Sequence, residues 1–434
     1  MPRELALVVL LLLLVSSAGV APIVASGGSV TECYTLYFLD GIVVYNSTIS
    51  ADVVLETPTN TQLLGGIEQV VEHVNSYNVT FNESLRAYSF KLREGEFFEG
   101  FFLSKVHVCS RPLNTTWLYT TLALFNPKYS PAPQVNASFS TNVSADYLKT
   151  PHDKVVKNVI PEYEKWFSEH YGFTTRNASL LGIATTLSYF IQRVYLKYSA
   201  GVLPRSIDST VEERQGDCDD MARVTVEALN YYGIPAAVVS GYVYVDGFNY
   251  TIPVENTTYI FVNNGPHAFP IAHVPGVGWI PLDWLAGAFT YYPFIVESIT
   301  RNTEAPSEEE VEEFLEVHRA LSAVQVIAVV PEATVKEYVN SSLGALYLWN
   351  NLKEKAVVTL STKIPRELAQ ESTLTPRETV QVNTTTYTTE LSNTSTLTAT
   401  TPLSEQGAIT SLGLITLILL LVVVLVYLAY SRLK

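Results

Sequence analysis

Apolar positions change their period along this chain, and the change divides it. From about Gly27 to Pro133 they fall in short alternating runs, with strands expected at Tyr34–Leu39, Ile42–Tyr45, Ala87–Leu92, Phe97–Cys109 and Trp117–Phe125. Asp40-Gly41 between the first two runs predicts a hairpin turn, and the whole segment predicts a small β-sandwich. After Pro151 the period lengthens. Pro161 opens and Gly172 closes one helix, and Ile183, Leu187, Ile191, Val194 and Tyr198 recur at spacings of three and four, the mark of one buried helical face. A further helix spans Asp217 to Tyr232 and stops at Gly233. Strands are then expected at Ala236–Val245, Tyr259–Val262, Ala268–Val274 and Trp279–Leu282. Helices followed by a run of strands predict an α+β domain. Beyond it, Ser307 with Glu310 forms a capping box for an acidic helix, Val324–Val330 reads as a buried strand, and a helix runs from about Thr334 to Leu352, together a small third module.

The two ends carry different signals. Arg3 precedes an apolar run from Leu5 to about Val15 and then small residues, the pattern of a secretory signal peptide; an uncleaved anchor is the alternative. Ala408 to Tyr430 contains no charge and is followed by Arg432 and Lys434, which predicts a membrane-spanning helix with a basic cytoplasmic tip. The Thr-rich stretch before it has almost no large apolar residue and reads as an extended stalk. The expected segmentation is 1–26 signal peptide, 27–145 β-rich domain, 146–300 α+β domain, 301–365 small α/β module, 366–406 stalk, 407–430 transmembrane helix and 431–434 cytoplasmic tip.

Composition fits a protein whose bulk lies outside the cytoplasm. Asn-X-Ser/Thr acceptors for glycosylation recur at Asn46, Asn78, Asn82, Asn114, Asn136, Asn142, Asn177, Asn249, Asn256, Asn340, Asn383 and Asn393. A net charge of −15 and the lack of a Lys/Arg cluster argue against a nucleic-acid partner. Of three cysteines, Cys33 and Cys109 lie in the strand-rich region and are expected to pair, which leaves Cys218 as the free thiol. No Gly-rich phosphate loop and no His-X-X-X-His zinc spacing occurs, so no cofactor or metal is expected.

Candidate chemistry centres on Cys218. The segment Gln215-Gly216-Asp217-Cys218-Asp219-Asp220-Met221-Ala222 opens the helix, with Asp217 as N-cap, so the sulfur sits in the first turn where the helix dipole favours thiolate. Downstream, His267 to Asp283 reads as strand, Pro-Gly turn and strand, a hairpin able to set the imidazole beside the carboxylate. Cys, His and Asp in those roles are what nucleophilic acyl transfer requires. Gly-Asp-Cys-Asp-Asp-X-Ala, then Gly-Ile-Pro, then His-Ala-Phe before Pro-Gly-X-Gly-Trp-X-Pro-X-Asp resembles the transglutaminase-like superfamily over about residues 146–300. That resemblance implies a papain-like core of helices packed on an antiparallel sheet. It also implies Cys218 as nucleophile, His267 as general base and acid, Asp283 as its orienting partner, and amide hydrolysis or acyl transfer through a thioester. The expected partner is a protein or peptide substrate.

Each residue also has a plainer reading. A lone Cys is most often a small buried hydrophobe. Asp217, Asp219 and Asp220 oppose a thiolate by about 1 to 4 kcal/mol each at contact, against about 1 to 2 kcal/mol returned by the helix dipole; a calcium site is their alternative role. Gln215 is a candidate oxyanion donor together with the Cys218 amide. His273 reads as a strand residue, and Trp279 and Trp284 as core. A glycosylated surface scaffold without chemistry is the alternative to an enzyme.

Overall fold

The computed structural model describes residues 32–363 except 64–65, 84–85, 111–112, 130–145, 202, 287–293 and 302. The signal peptide, stalk, transmembrane helix and tip expected from the sequence lie outside the described residues. Among the described residues, no helix is long and apolar enough to cross a membrane.

The strands are β1 (Glu32–Ser47), β2 (Ala51–Leu55), β3 (Thr61–Gln62), β4 (Ile67–Tyr77), β5 (Thr80–Asn82), β6 (Ala87–Leu92) and β7 (Phe98–Ser110), then β8 (Lys197–Tyr198) and β9 (Gln215–Gly216), and finally β10 (Ala236–Val254), β11 (Thr257–Val274), β12 (Gly278–Pro281), β13 (Phe294–Thr300) and β14 (Leu321–Pro331). The helices are α1 (Leu113–Phe125), α2 (Ile160–Tyr171), α3 (Leu180–Phe190), α4 (Ile207–Glu213), α5 (Cys218–Tyr231), α6 (Glu308–Ala320) and α7 (Ser342–Lys363). A mixed α+β arrangement results, with a β-rich N-terminal region.

One large sheet dominates, in the order β13-β10-β11-β14-β1-β7-β4-β3, with β12 paired to β11. Strands from all three segments expected as separate modules hydrogen-bond within it, so the boundaries near 145 and 300 do not divide the sheet. β14 lies between β11 and β1, antiparallel to β1 and parallel to β11. The sheet is therefore not wholly antiparallel. A parallel neighbour needs a crossover connection, and β13 with α6 supplies it.

Alternation along β1 shows how the sheet buries both faces. Leu36 and Phe38 pack with Leu55, Tyr88, Phe90 and Leu92 of the small β2-β6-β5 sheet, whereas Tyr37 and Leu39 pack under α7 with Leu348, Trp349 and Leu352. Farther along, α2, α3, α4 and α5 cover Ala236 and Val238 of β10 and Ala268 and Ala272 of β11; Ala237, Val239, Phe269 and Ile271 form the opposite layer with Trp279.

Two sequence expectations are corrected. Asp40-Gly41 is no hairpin, because β1 runs unbroken from Glu32 to Ser47. Gly41 is needed instead for close approach: a Cβ there would lie 2.5 Å from Trp349 Cζ3 and 2.7 Å from Phe101 Cβ. Its neighbour Asp40 is buried and accepts both contacts from Gln325 Nε2, at 2.9 and 3.0 Å. Trp117–Phe125 belongs to helix α1, not to a strand. An apolar run of that length fits either a buried strand or a buried helix, and periodicity alone does not separate them.

Cys33 and Cys109 are disulfide-bonded across the β1–β7 ladder, where they are register partners. The bridge closes a loop with a sequence separation of 76, which in the chain-entropy account stabilises by about 4 kcal/mol.

Gly41→Ala is expected to destabilise the protein by about 1–3 kcal/mol through overpacking against Trp349. A lower urea midpoint at unchanged slope checks this; an unchanged midpoint would show that Trp349 relaxes freely.

Candidate active site

Cys218 is the first helical residue of α5. Strand β9 leads into it, paired in parallel with β8 so that Tyr198 lies opposite Gly216. Gly216 leaves room for the turn, since a Cβ there would sit 2.6 Å from Asp220 Cβ. Asp217 then caps the helix: its carboxylate accepts from the Asp220 amide at 3.4 Å, and Asp220 Oδ2 accepts from the Asp217 amide at 3.3 Å. The half-buried, free sulfur is thereby held at the positive end of α5.

His267 and Asp283 reach the same place from the sheet. β11 and β12 form a hairpin around Pro275-Gly276-Val277, closed by the Val277 amide donating to Val274 O at 3.0 Å, with both Gly276 (φ 75°) and Gly278 (φ 89°) left-handed. The ladder is extended by the Leu282 amide donating to Pro270 O at 2.8 Å, which delivers Asp283 alongside His267. His267 Nε2 and Asp283 Oδ2 are 2.8 Å apart. The other carboxylate oxygen accepts from the amides of Leu285 and Ala286, at 3.1 and 3.2 Å.

A second layer of polar contacts fixes the segment that carries Asp283. Gln192 Nε2 donates to Leu282 O and Gln192 Oε1 accepts from the Trp284 amide, both at 2.9 Å, so one side chain brackets Asp283 from either side. Trp284 Nε1 donates to Ser188 Oγ at 2.8 Å. Gln192 and Ser188 were not legible as site residues, because they sit on an otherwise apolar helical face; a buried glutamine within such a face was the available signal.

His267 and Cys218 line the same cavity, and the charge of Cys218 acts on the ring alongside that of Asp283. With Nε2 committed to Asp283, Nδ1 is the ring nitrogen left for the sulfur. Burial by itself would lower the imidazole pKa, but the hydrogen bonds and negative charge of Asp283 and Cys218 outweigh it and push His267 up to about 10. At neutral pH the ring carries a proton it can give to a leaving group.

The acidic residues flanking Cys218 are largely neutralised. Burial, then the hydrogen bond to Asp219 and the negative charges of Asp219 and Asp220, push Asp217 up to about 8. Arg223 Nη2 pairs with Asp219 at 2.9 Å and with Asp220, and the Arg205 amide donates to Asp220 Oδ1 at 2.9 Å. The repulsion expected from three neighbouring carboxylates is thus reduced by one proton and one arginine. Asp217, Cys218 and Asp219 bring ligand atoms within 4.8 Å of one another.

A cavity of about 420 Å³ opens over Cys218 and His267. Gln215 is not among its lining residues, and its Nε2 donates to Glu213 Oε2 at 2.8 Å. Tyr198, missed as a site residue from the sequence, does line it. Burial first, then the charges of Cys218 and Asp217, raise the Tyr198 pKa, so its hydroxyl keeps a proton to donate. His273 packs edge-on against Trp279 at 5.4 Å and is not among the lining residues, and both Trp279 and Trp284 are buried.

Residues 173–284 match the family described as the transglutaminase-like superfamily, and the span contains Cys218, His267 and Asp283. The chain therefore carries a transglutaminase-like superfamily domain. A solved structure from Cytophaga hutchinsonii, described as a "Putative Cysteine Protease", is similar at 12% identity and a TM-score of 0.36, covering 69% of this chain and 91% of that one. An overlap that loose carries no argument about activity. A search of curated proteins found no match.

Asp217→Asn keeps a capping side chain and copies the neutral acid. Because the folded-state pKa is raised, the wild type binds its proton more tightly when folded and loses stability as pH rises from about 4 through about 8. The variant is expected to gain in melting temperature over wild type across that window and to equal it at lower pH. A difference that stays constant with pH would refute the protonated state of Asp217.

Proposed function

We propose that this chain is a thiol-dependent hydrolase or acyltransferase that cleaves protein or peptide amides through a thioester on Cys218. The observation that carries the reading is the convergence of Cys218 and the hydrogen-bonded His267–Asp283 pair, with nucleophile and base both lining one open cavity. Its occurrence within a transglutaminase-like domain supports the same chemistry.

The steps follow from the geometry. The Cys218 thiolate attacks the amide carbonyl carbon, and the oxygen of the tetrahedral intermediate takes the negative charge. The Cys218 amide at the helix N-terminus and the Tyr198 hydroxyl, both on the cavity, are the donors this reading assigns to that oxyanion. His267 passes its proton to the leaving nitrogen, the C–N bond breaks, and an amine departs from the thioester. Neutral His267 then takes a proton from water or from an acceptor amine as that nucleophile bonds to the acyl carbon. The C–S bond breaks and the thiolate–imidazolium pair returns. Asp283 holds the ring in the tautomer and orientation this exchange needs.

The reading extends to an extracytoplasmic, membrane-anchored protein. Three features support it: the uncharged segment from Ala408 to Tyr430 with Arg432 and Lys434 after it; the Cys33–Cys109 disulfide, a bond that persists in oxidising compartments; and glycosylation acceptors whose asparagines Asn46, Asn78, Asn177, Asn249, Asn256 and Asn340 are exposed.

Iodoacetamide is expected to alkylate Cys218 in the native protein near neutral pH, and Cys218→Ala to abolish turnover of peptide amides. Asp283→Asn is expected to lower kcat by about 10⁴-fold through the wrong tautomer, and Tyr198→Phe by about 10²-fold through loss of one oxyanion donor. Labelling of Cys218 that requires denaturant, or turnover that survives Cys218→Ala, would overturn the proposal.

A further inference from the structure

The wall of the cavity opposite the nucleophile is built by an irregularity in the β10–β11 ladder. Tyr244 pairs with Asn264 and Asn249 pairs with Val262, so Val245, Asp246, Gly247 and Phe248 on β10 face the single residue Asn263 on β11. Such an insertion bends the strand and re-aims its side chains. It is pinned in place: the Gly247 amide donates to Asn263 Oδ1 at 3.1 Å, with Gly247 (φ 72°) and Asn263 (φ 55°) both left-handed.

The insertion carries Val245 and Phe248 to the cavity, where they line one side of the space over Cys218. Phe248 lies across Gly265, where a Cβ would come within 3.2 Å of its Cε1, so the ring's position depends on the missing side chain two residues before His267. Both wall residues are large apolar groups left open, Val245 at 43% and Phe248 at 44% exposure. Val243, Pro266 and Leu285 continue the apolar lining.

Charge completes the picture. Among the described lining residues there is no carboxylate, and the cationic groups are His267 and Arg193. Arg193 donates to the carbonyl oxygens of Trp284 and Leu285, and no ion pair to a described carboxylate offsets its charge. A basic side chain entering the cavity would find no carboxylate among the described lining residues and would meet the charge of Arg193; an apolar one would cover Val245 and Phe248. The volume of about 420 Å³ lies in the range of small-ligand sites and exceeds the roughly 150 Å³ that suffices for a benzene ring.

Resting on the hydrolase or transferase reading above, we propose that Val245 and Phe248 form the side-chain subsite of this enzyme. The acyl group delivered to Cys218 then comes from a peptide whose residues next to the scissile amide are aromatic or branched aliphatic, and basic residues are excluded there.

The test uses the full-length protein and peptidyl chloromethyl ketones that differ only in one side chain, Phe, Leu, Ala or Lys, each rate of Cys218 alkylation divided by the iodoacetamide rate of the same variant. The Phe and Leu probes are expected to react at least tenfold faster than the Ala and Lys probes, in line with the 10–200-fold discrimination of apolar pockets. Phe248→Ala should bring the Phe and Leu probes down to the Ala rate. Val245→Asp should raise the Lys probe relative to Phe, which keeps the proposal testable if the alanine variant does not fold. Equal normalised rates for all probes, or a Phe preference untouched in both variants, overturn the subsite alone. Failure of iodoacetamide to label native Cys218 overturns the underlying enzyme reading instead.

Discussion

The pairing of His267 with Asp283 is the contact on which the rest of the site depends. A carboxylate that is 2% exposed is costly unless its oxygens are satisfied. Here one oxygen is met by two backbone amides and the other by the imidazole. Gln192 on the helical layer grips the chain on both sides of Asp283, and Ser188 holds the Trp284 indole beside it. The helical layer is therefore part of the active-site geometry, and packing of α3 against the sheet is what holds the ring.

Around the sulfur, the electrostatics are set by sharing and pairing, not by removal of charge from the sequence. Asp217 serves as helix cap and as a proton-holding acid, while Arg223 answers Asp219 and Asp220. The capping box that starts α5 thus fixes where Cys218 stands, while burial and the neighbouring carboxylates keep a proton on the cap. One backbone feature does two jobs, which ties helix stability to nucleophile placement.

Much of this was legible before any coordinates. The helix expected over Asp217–Tyr232, its Asp217 cap, the Ser307–Glu310 box and the strand expected over Val324–Val330, observed as Cys218–Tyr231 and Leu321–Pro331, follow from signals contained within a turn or two of chain. The Asp40-Gly41 hairpin failed for the opposite reason: a glycine that signals a turn locally is here required by Trp349 from the last described helix. For Gln215, nearness to Cys218 along the chain said nothing about its side-chain partner, which is the carboxylate of Glu213.

What the sequence alone determined is the inventory: a thiol at a helix start, a histidine and an aspartate bracketing a Pro-Gly turn, and a motif series matching one superfamily. Each depends on neighbours a few residues away. Tertiary structure decided that segments read as three modules would share one sheet, that Tyr198 would line the cavity over the sulfur, and that a bulge of four residues against one would bring Phe248 to that cavity. Those outcomes turn on register and close approach between distant strands and helices, where a hydrogen bond or a missing Cβ in one element is answered only by another.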